Sequence, residues 1–184
     1  MDLALQRLRP GGVVAGTAVT LSIPSQDSTL LHHVIGMLRP GDFLVVERQG
    51  DHRHACWGGG VTRAARNAGL AGAVIDGPCT DPGEIASIGF PLWCRGVSAI
   101  TTRMNDVGGR FNMPVSCGGV AVSPGDLVLA DESGVLVLPR DEASAVAQRA
   151  LALAADIERG EQRLDAGELL GKVYGASALV VARR

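Results

Sequence analysis

Between Ala71 and Arg95 the chain reads AGAVIDGPCTDPGEIASIGFPLWCR. The run Ala71–Ile75 is apolar and uncharged and reads as a buried strand, broken sharply at Asp76-Gly77-Pro78. A short helix is predicted near Pro82–Ile88, and Pro91–Arg95 reads as a second strand. Strand, turn, helix, strand is the rhythm of parallel α/β structure.

Upstream the same rhythm continues. Val13–Leu21 is rich in β-branched residues and free of charge, so it reads as another buried strand. Asp27 and Ser28 can cap a helix through about Leu38, and Pro40-Gly41-Asp42 turns the chain into the strand Phe43–Glu47. After the polar loop Gln49–His54 comes Cys56-Trp57-Gly58-Gly59-Gly60, then a helical stretch from Val61 to Ala68 that stops at Gly69. Downstream the character changes. Gly118–Val122, Leu127–Asp131 and Gly134–Leu138 are short strands separated by turns, an antiparallel meander. Asp141 to about Arg159 has strong helix propensity, and a second helical piece is expected over Asp165–Tyr174. With no linker or low-complexity stretch, residues 1–184 are expected to form one domain.

Composition removes several classes of function. Seventeen Lys and Arg against nineteen Asp and Glu leave a net charge of −2, with no general attraction to nucleic acid or anionic membrane. The longest basic patch is the terminal Arg183-Arg184, and no apolar run reaches the ~20 residues of a membrane span. Aromatics at 3% argue against base-stacking platforms. Cys56, Cys79, Cys94 and Cys117 form no CxxC pair and follow no signal peptide, as expected of buried thiols in a reducing cytoplasm.

Two turns at the carboxyl ends of neighbouring predicted strands frame the expected site, where α/β sheets commonly bind ligands. In the first, Gly58-Gly59-Gly60 precedes a helix, so the amides of Gly59, Gly60 and Val61 can face a carboxylate or phosphate. Simple tight turning is the plainer reading. The spacing is not the dinucleotide fingerprint GxGxxG. In the second, Asp81 precedes the short helix, where an N-cap carboxylate is the ordinary role. Asp76 and Glu84 add hard oxygen ligands or orienting groups, and a magnesium-type ion needs only one or two protein carboxylates.

These residues resemble the RraA-like family, whose members carry a glycine, twenty intervening residues, Arg-Asp, two more residues, then Glu or Asp. Here Gly59 is followed by residues 60 to 79, Thr80-Asp81, Pro82-Gly83 and Glu84. Trp57-Gly58-Gly59, Gly69-Leu70-Ala71-Gly72, Val74-Ile75-Asp76-Gly77, Phe90-Pro91 with Arg95-Gly96, Pro114-Val115, and Pro124-Gly125-Asp126 through Gly134-Val135 extend the likeness from about Gly16 to Leu138. The resemblance implies a swivelling β/β/α-type α/β domain with a mixed sheet, assembled as a homotrimer or a hexamer. It implies Gly58, Gly59, Gly60 and Val61 as the substrate turn, joined by the residue at 80. Asp81 becomes the ligand of Mg2+ or Mn2+, and Glu84 a support of that shell.

The chain departs from the pattern in two places: the family's N-terminal helical segment is largely missing before Leu8, and Thr80 stands where Arg is expected. A Thr hydroxyl cannot reproduce a charged two-pronged donor. Charge-assisted hydrogen bonds contribute ~1.5–3 kcal/mol each, so losing two without a substitute costs ~10²-fold or more in rate. Arg95, Arg103 and Arg110 are the other arginines able to reach in, although each reads more simply as a surface or inter-subunit charge. The activity implied is that of a divalent-metal-dependent lyase on a 2-oxo acid. It would act by retro-aldol cleavage of a 4-hydroxy-2-oxo acid to pyruvate, or by oxaloacetate-type decarboxylation. The alternative is a non-catalytic ring that binds a partner such as a ribonuclease. His32 and His33 have no assigned role; His52 and His54, in the polar loop before the glycine turn, are candidate proton donors.

Overall fold

The computed structural model describes residues 1–183, and its contacts divide the chain into two units, Met1–Arg140 and Asp141–Arg184. In chain order the first unit holds β1 (Gln6–Arg7), β2 (Val14–Ser22), α1 (Thr29–Val34) continued by a 3-10 turn at Ile35–Met37, β3 (Asp42–Glu47) and α2 (Gly59–Asn67). There follow β4 (Gly72–Ile75), α3 (Pro82–Ile88), β5 (Leu92–Cys94), β6 (Arg110–Phe111), β7 (Val115–Cys117), β8 (Val120–Val122), β9 (Leu127–Asp131) and β10 (Gly134–Leu138).

The parallel part of the sheet is β2-β3-β4-β5, with Val19 beside Leu44, Leu44 beside Ala73 and Ala73 beside Leu92. Antiparallel strands flank it, β1 on β5 and β9 then β10 on β2. Strand alternation sends side chains into two cores. Leu44, Val46, Ala73, Ile75 and Leu92 pack with Leu31, Val34, Val61, Ala65 and Ile85 of the three helices. Phe43, Val45, Val74 and Trp93 pack with Val115, Cys117, Val122, Val128 and Val135 of the later strands. Covered on both faces, β3 and β4 have no polar alternation to show, which is why their sequences are continuous apolar runs.

The expected mixed sheet is therefore present, with a difference in its antiparallel part. β8 pairs with β7 in a separate two-stranded sheet, not with β9. The turn after β8 explains this: Gly125 N–H donates to the Ala18 carbonyl at 2.9 Å and Ala18 N–H to the Asp126 carbonyl at 2.8 Å, which lays β9 on β2. Helix boundaries also move. α2 begins at Gly59, within the glycine run, and the α-helix expected to reach Leu38 gives way to the 3-10 turn after Val34. Ser28 makes no side-chain cap; Asp27 Oδ1 accepts the Thr29 N–H instead, at 2.9 Å.

The second unit contains α4 (Ala143–Asp165), α5 (Leu170–Val173) and α6 (Ala176–Val181). α4 runs beyond the expected Arg159, while the second helical piece is cut short by Gly167 and Gly175 at φ of 88° and 77°. Tyr174 lies against Gly160, where a Cβ would come within 2.8 Å of its hydroxyl. Of the terminal basic pair, Arg184 lies outside the described residues. No helix among the described residues is long and apolar enough to cross a membrane.

Candidate active site

Trp57 fixes the glycine turn. Its fully buried ring stacks on Phe90 at 5.8 Å, and its Nε1–H donates to Thr62 Oγ1 at 2.9 Å. The Thr62 hydroxyl donates in turn to the Gly58 carbonyl at 2.8 Å. The Trp57 carbonyl accepts the Thr80 N–H at 2.8 Å, so the glycine turn and the carboxylate turn lie side by side. Close approach is what demands glycine here. Gly58 has an extended φ of −141°, open to any residue, but a Cβ would sit 2.6 Å from Asp81 Oδ2 and 2.9 Å from Thr80 Cγ2. At Gly59 a Cβ would fall 2.1 Å from Glu84 Oε2.

Asp81 occupies the N-cap position of α3 but does not act as a cap. It adopts the left-handed conformation, φ 54° and ψ 46°, makes no capping bond, and its Oδ2 accepts the Gly59 N–H at 3.1 Å. That bond takes one of the three amides expected to face a ligand. Gly60 and Val61, at the start of α2, have no intrahelical acceptor for theirs. Asp81 Oδ1 is left with a long 3.4 Å contact from the Thr80 hydroxyl.

Both turns open on a cavity of about 370 Å³. Gly58, Gly59, Gly60, Val61, Thr80 and Asp81 line it together with Ser28 and His32 of the α1 start, Ala55-Cys56, and Thr101–Met104. The His32 Nδ1–H donates to the Ser28 carbonyl at 2.8 Å, which leaves Nε2 as the nitrogen free to exchange a proton. Cys56 is no nucleophile: burial pushes its thiol up to about 11. A recess of about 410 Å³ beside β9 and β10 is lined mainly by apolar groups such as Val13, Leu129 and Val135 and has no comparable polar convergence.

Other anticipated groups are not among the residues lining the cavity. The Glu84 carboxylate lies against Gly59, behind the glycine turn, and pairs with Arg63 at 2.7 Å. Asp76 Oδ1 pairs with Arg95, and its Oδ2 accepts the Gly118 N–H at 2.8 Å. Arg95 is further held by Asp2, and Arg110 by Glu47. His54 leans on Asp51 at 2.9 Å, and neither it nor His52 lines the cavity. His32 and Arg103 do. Neither stands near the glycine motif in sequence; the one local signal is the Asp27-Ser28 helix start, which places His32 one turn in.

Arg103 is carried by a segment stapled to that helix start. Its N–H donates to the Gln26 carbonyl at 2.9 Å, and its carbonyl accepts the Ser28 N–H at 2.9 Å. Buried Asp27 completes the staple, accepting the N–H of Asn105 at 3.1 Å and of Val107 at 2.7 Å. Burial alone would raise the Asp27 pKa, but these bonds and those from Thr29 hold it far below the usual carboxylate range.

Known proteins resemble this chain in sequence and fold. A model of the RraA-like family, described as Aldolase/RraA, matches residues 2–137. A Halalkalibacterium halodurans protein, provisionally named 4-hydroxy-4-methyl-2-oxoglutarate aldolase, is 32% identical over 170 residues, covering 92% of this chain and 80% of its own. A Thermus thermophilus 4-hydroxy-4-methyl-2-oxoglutarate aldolase is 33% identical over 126 residues, 68% of this chain and 75% of its own. The solved structure of Streptomyces coelicolor RraAS2, described as an unusual member of the RNase ES inhibitor RraA protein family, aligns with a TM-score of 0.76 at 31% identity, covering 85% of this chain and 80% of that one. By the family match over most of its length and by these relatives, the chain belongs to the RraA-like family.

Proposed function

We propose that the protein is a divalent-metal-dependent lyase acting on a 2-oxo acid, cleaving a 4-hydroxy-2-oxo acid to pyruvate or decarboxylating an oxaloacetate-like acid. The observation that carries this reading is the junction of glycine turn and carboxylate turn on one cavity, with Asp81 Oδ2 on the Gly59 amide and Oδ1 available to a ligand. The relatives named as 4-hydroxy-4-methyl-2-oxoglutarate aldolases support it at the level of the family.

The donor set suits magnesium or manganese. Among the described residues Asp81 is the one carboxylate lining the cavity, and no group of three or more His, Cys, Asp or Glu forms a cage. An ion content with one carboxylate, water and substrate oxygens fits this; zinc or calcium demands more protein ligands. A divalent ion held at Asp81 would supply Lewis acidity, drawing electron density from the 2-oxo group as the carbon–carbon bond breaks. The chain's own residues bind and orient. The Gly60 and Val61 amides at the positive end of α2 receive a substrate carboxylate, Asp81 stays anchored by Gly59, and His32 Nε2 takes up or returns a proton.

Pyruvate release from a panel of 4-hydroxy-2-oxo acids and oxaloacetate, with and without magnesium, tests the reading. Metal-dependent release is expected. Release no greater than background for every substrate would instead favour a non-catalytic ring that binds a partner such as a ribonuclease, a role to which the likeness to RraAS2 points.

A further inference from the structure

Resting on the lyase reading above, we propose that Arg103 supplies the substrate-carboxylate clamp that the family motif places at position 80. Thr80 offers one hydroxyl, and that hydroxyl faces Asp81. Arg103 lines the same cavity as Thr80, Asp81 and the glycine turn. Among the described residues its guanidinium reaches only the Thr101 hydroxyl, at 3.0 Å, and the Thr102 carbonyl, at 3.3 Å, both through Nη1. Among the described residues no carboxylate pairs with it, so most of its five N–H donors are open to a ligand. The rival arginines are consumed: Arg95 by Asp76 and Asp2, Arg110 by Glu47, and Arg63 by Glu84.

Backbone pairing sets the reach. Thr101 pairs with Ala55, and Trp57, two residues on, pairs with Cys79. The segments that carry Arg103 and Thr80 therefore both border Ala55–Trp57, and both residues line the one cavity. A long Arg side chain on this lining can meet a small 2-oxo acid held at the glycine turn. The staple makes the position definite, since the Arg103 N–H and carbonyl are both held and Asp27 ties down the residues that follow. Asp27 is thus a positioning residue for the clamp. A guanidinium delivered from this segment restores the charge and the two-pronged donor lost at position 80.

Oxalate, a flat dianion that resembles the enolate of pyruvate, is the probe, titrated calorimetrically into the protein with magnesium present. Arg103→Gln should weaken oxalate at least ~10-fold, with Arg103→Lys falling between it and the wild type. Adding Thr80→Arg to Arg103→Gln should recover most of the loss, because the charge returns to the same ligand from the motif position. Binding by Arg103→Gln within twofold of the wild type overturns the proposal while leaving the lyase reading intact. Weak binding that Thr80→Arg does not restore also overturns it, since Arg103 would then not be standing in for the motif residue. A wild type that neither binds oxalate nor releases pyruvate removes the lyase reading and the clamp together.

Discussion

Asp81 carries two duties that are separable by substitution. Asparagine at 81 keeps an oxygen to accept the Gly59 N–H, so the turn should hold, but it loses the charge a hard cation needs. Asp81→Asn is therefore expected to abolish metal-dependent pyruvate release with its thermal midpoint within a few degrees of the wild type. An unchanged metal titration in that variant would remove Asp81 from the site. Glycines provide the contrast. A Cβ at Gly58 strikes Asp81 and Thr80, whereas at Gly83, inside α3, it meets nothing within 4 Å. Gly83→Ala should raise stability by about 0.5–1 kcal/mol in urea titration, and Gly58→Ala should cost activity by displacing Asp81.

At the scale of elements, the Asp27 staple joins the start of α1 to residues 103–107, and its strength depends on ionisation. Asp27 is almost fully buried and accepts N–H donors from Thr29, Asn105 and Val107. Its folded pKa is lowered from 3.8 because those bonds outweigh burial, so the folded state favours the ionised form. The stabilisation it contributes is fully present above the unfolded value near 3.8 and falls away as pH drops through the lower folded value. Asp27→Asn should lose about 1–3 kcal/mol at pH 7, since an amide turns a donor toward backbone N–H groups. Urea titrations of wild type and variant should converge as pH is lowered below about 4. A gap that stays constant from pH 7 to pH 3 would show that the charge is not what closes the staple.

For the whole molecule, a net charge of −2 leaves association to apolar surface, and exposed apolar side chains are plentiful. Val97, Ile100, Met104 and Val107 stand exposed around the Arg103 segment, and Leu151 and Leu153 along α4. Exposed apolar side chains of this kind signal contact with other copies or partners. We expect light scattering at micromolar concentration to give a homotrimer or a hexamer of the 19.0 kDa chain. A particle of a single chain's mass would count against the ring.

The strands β2 to β5 and the helices α2 and α3 were legible in the sequence because each is specified by its own apolar pattern and punctuating turns. The Gly59 to Glu84 spacing likewise announced the family and the glycine and carboxylate turns, since both lie within one continuous stretch. Strands β1 and β6, each two residues long, exist only through their partners β5 and β2. A pair so short has no periodicity to read. The tertiary structure alone decided that Glu84 turns to Arg63 and that Asp76 turns to Arg95 and Gly118. It alone brought His32 and Arg103 to the cavity. The bonds that do so join Asp27 to residues 78 and 80 positions away. Local hydrophobic pattern fixes which residues are buried; which polar groups then meet depends on long-range backbone pairing, which such a pattern does not encode.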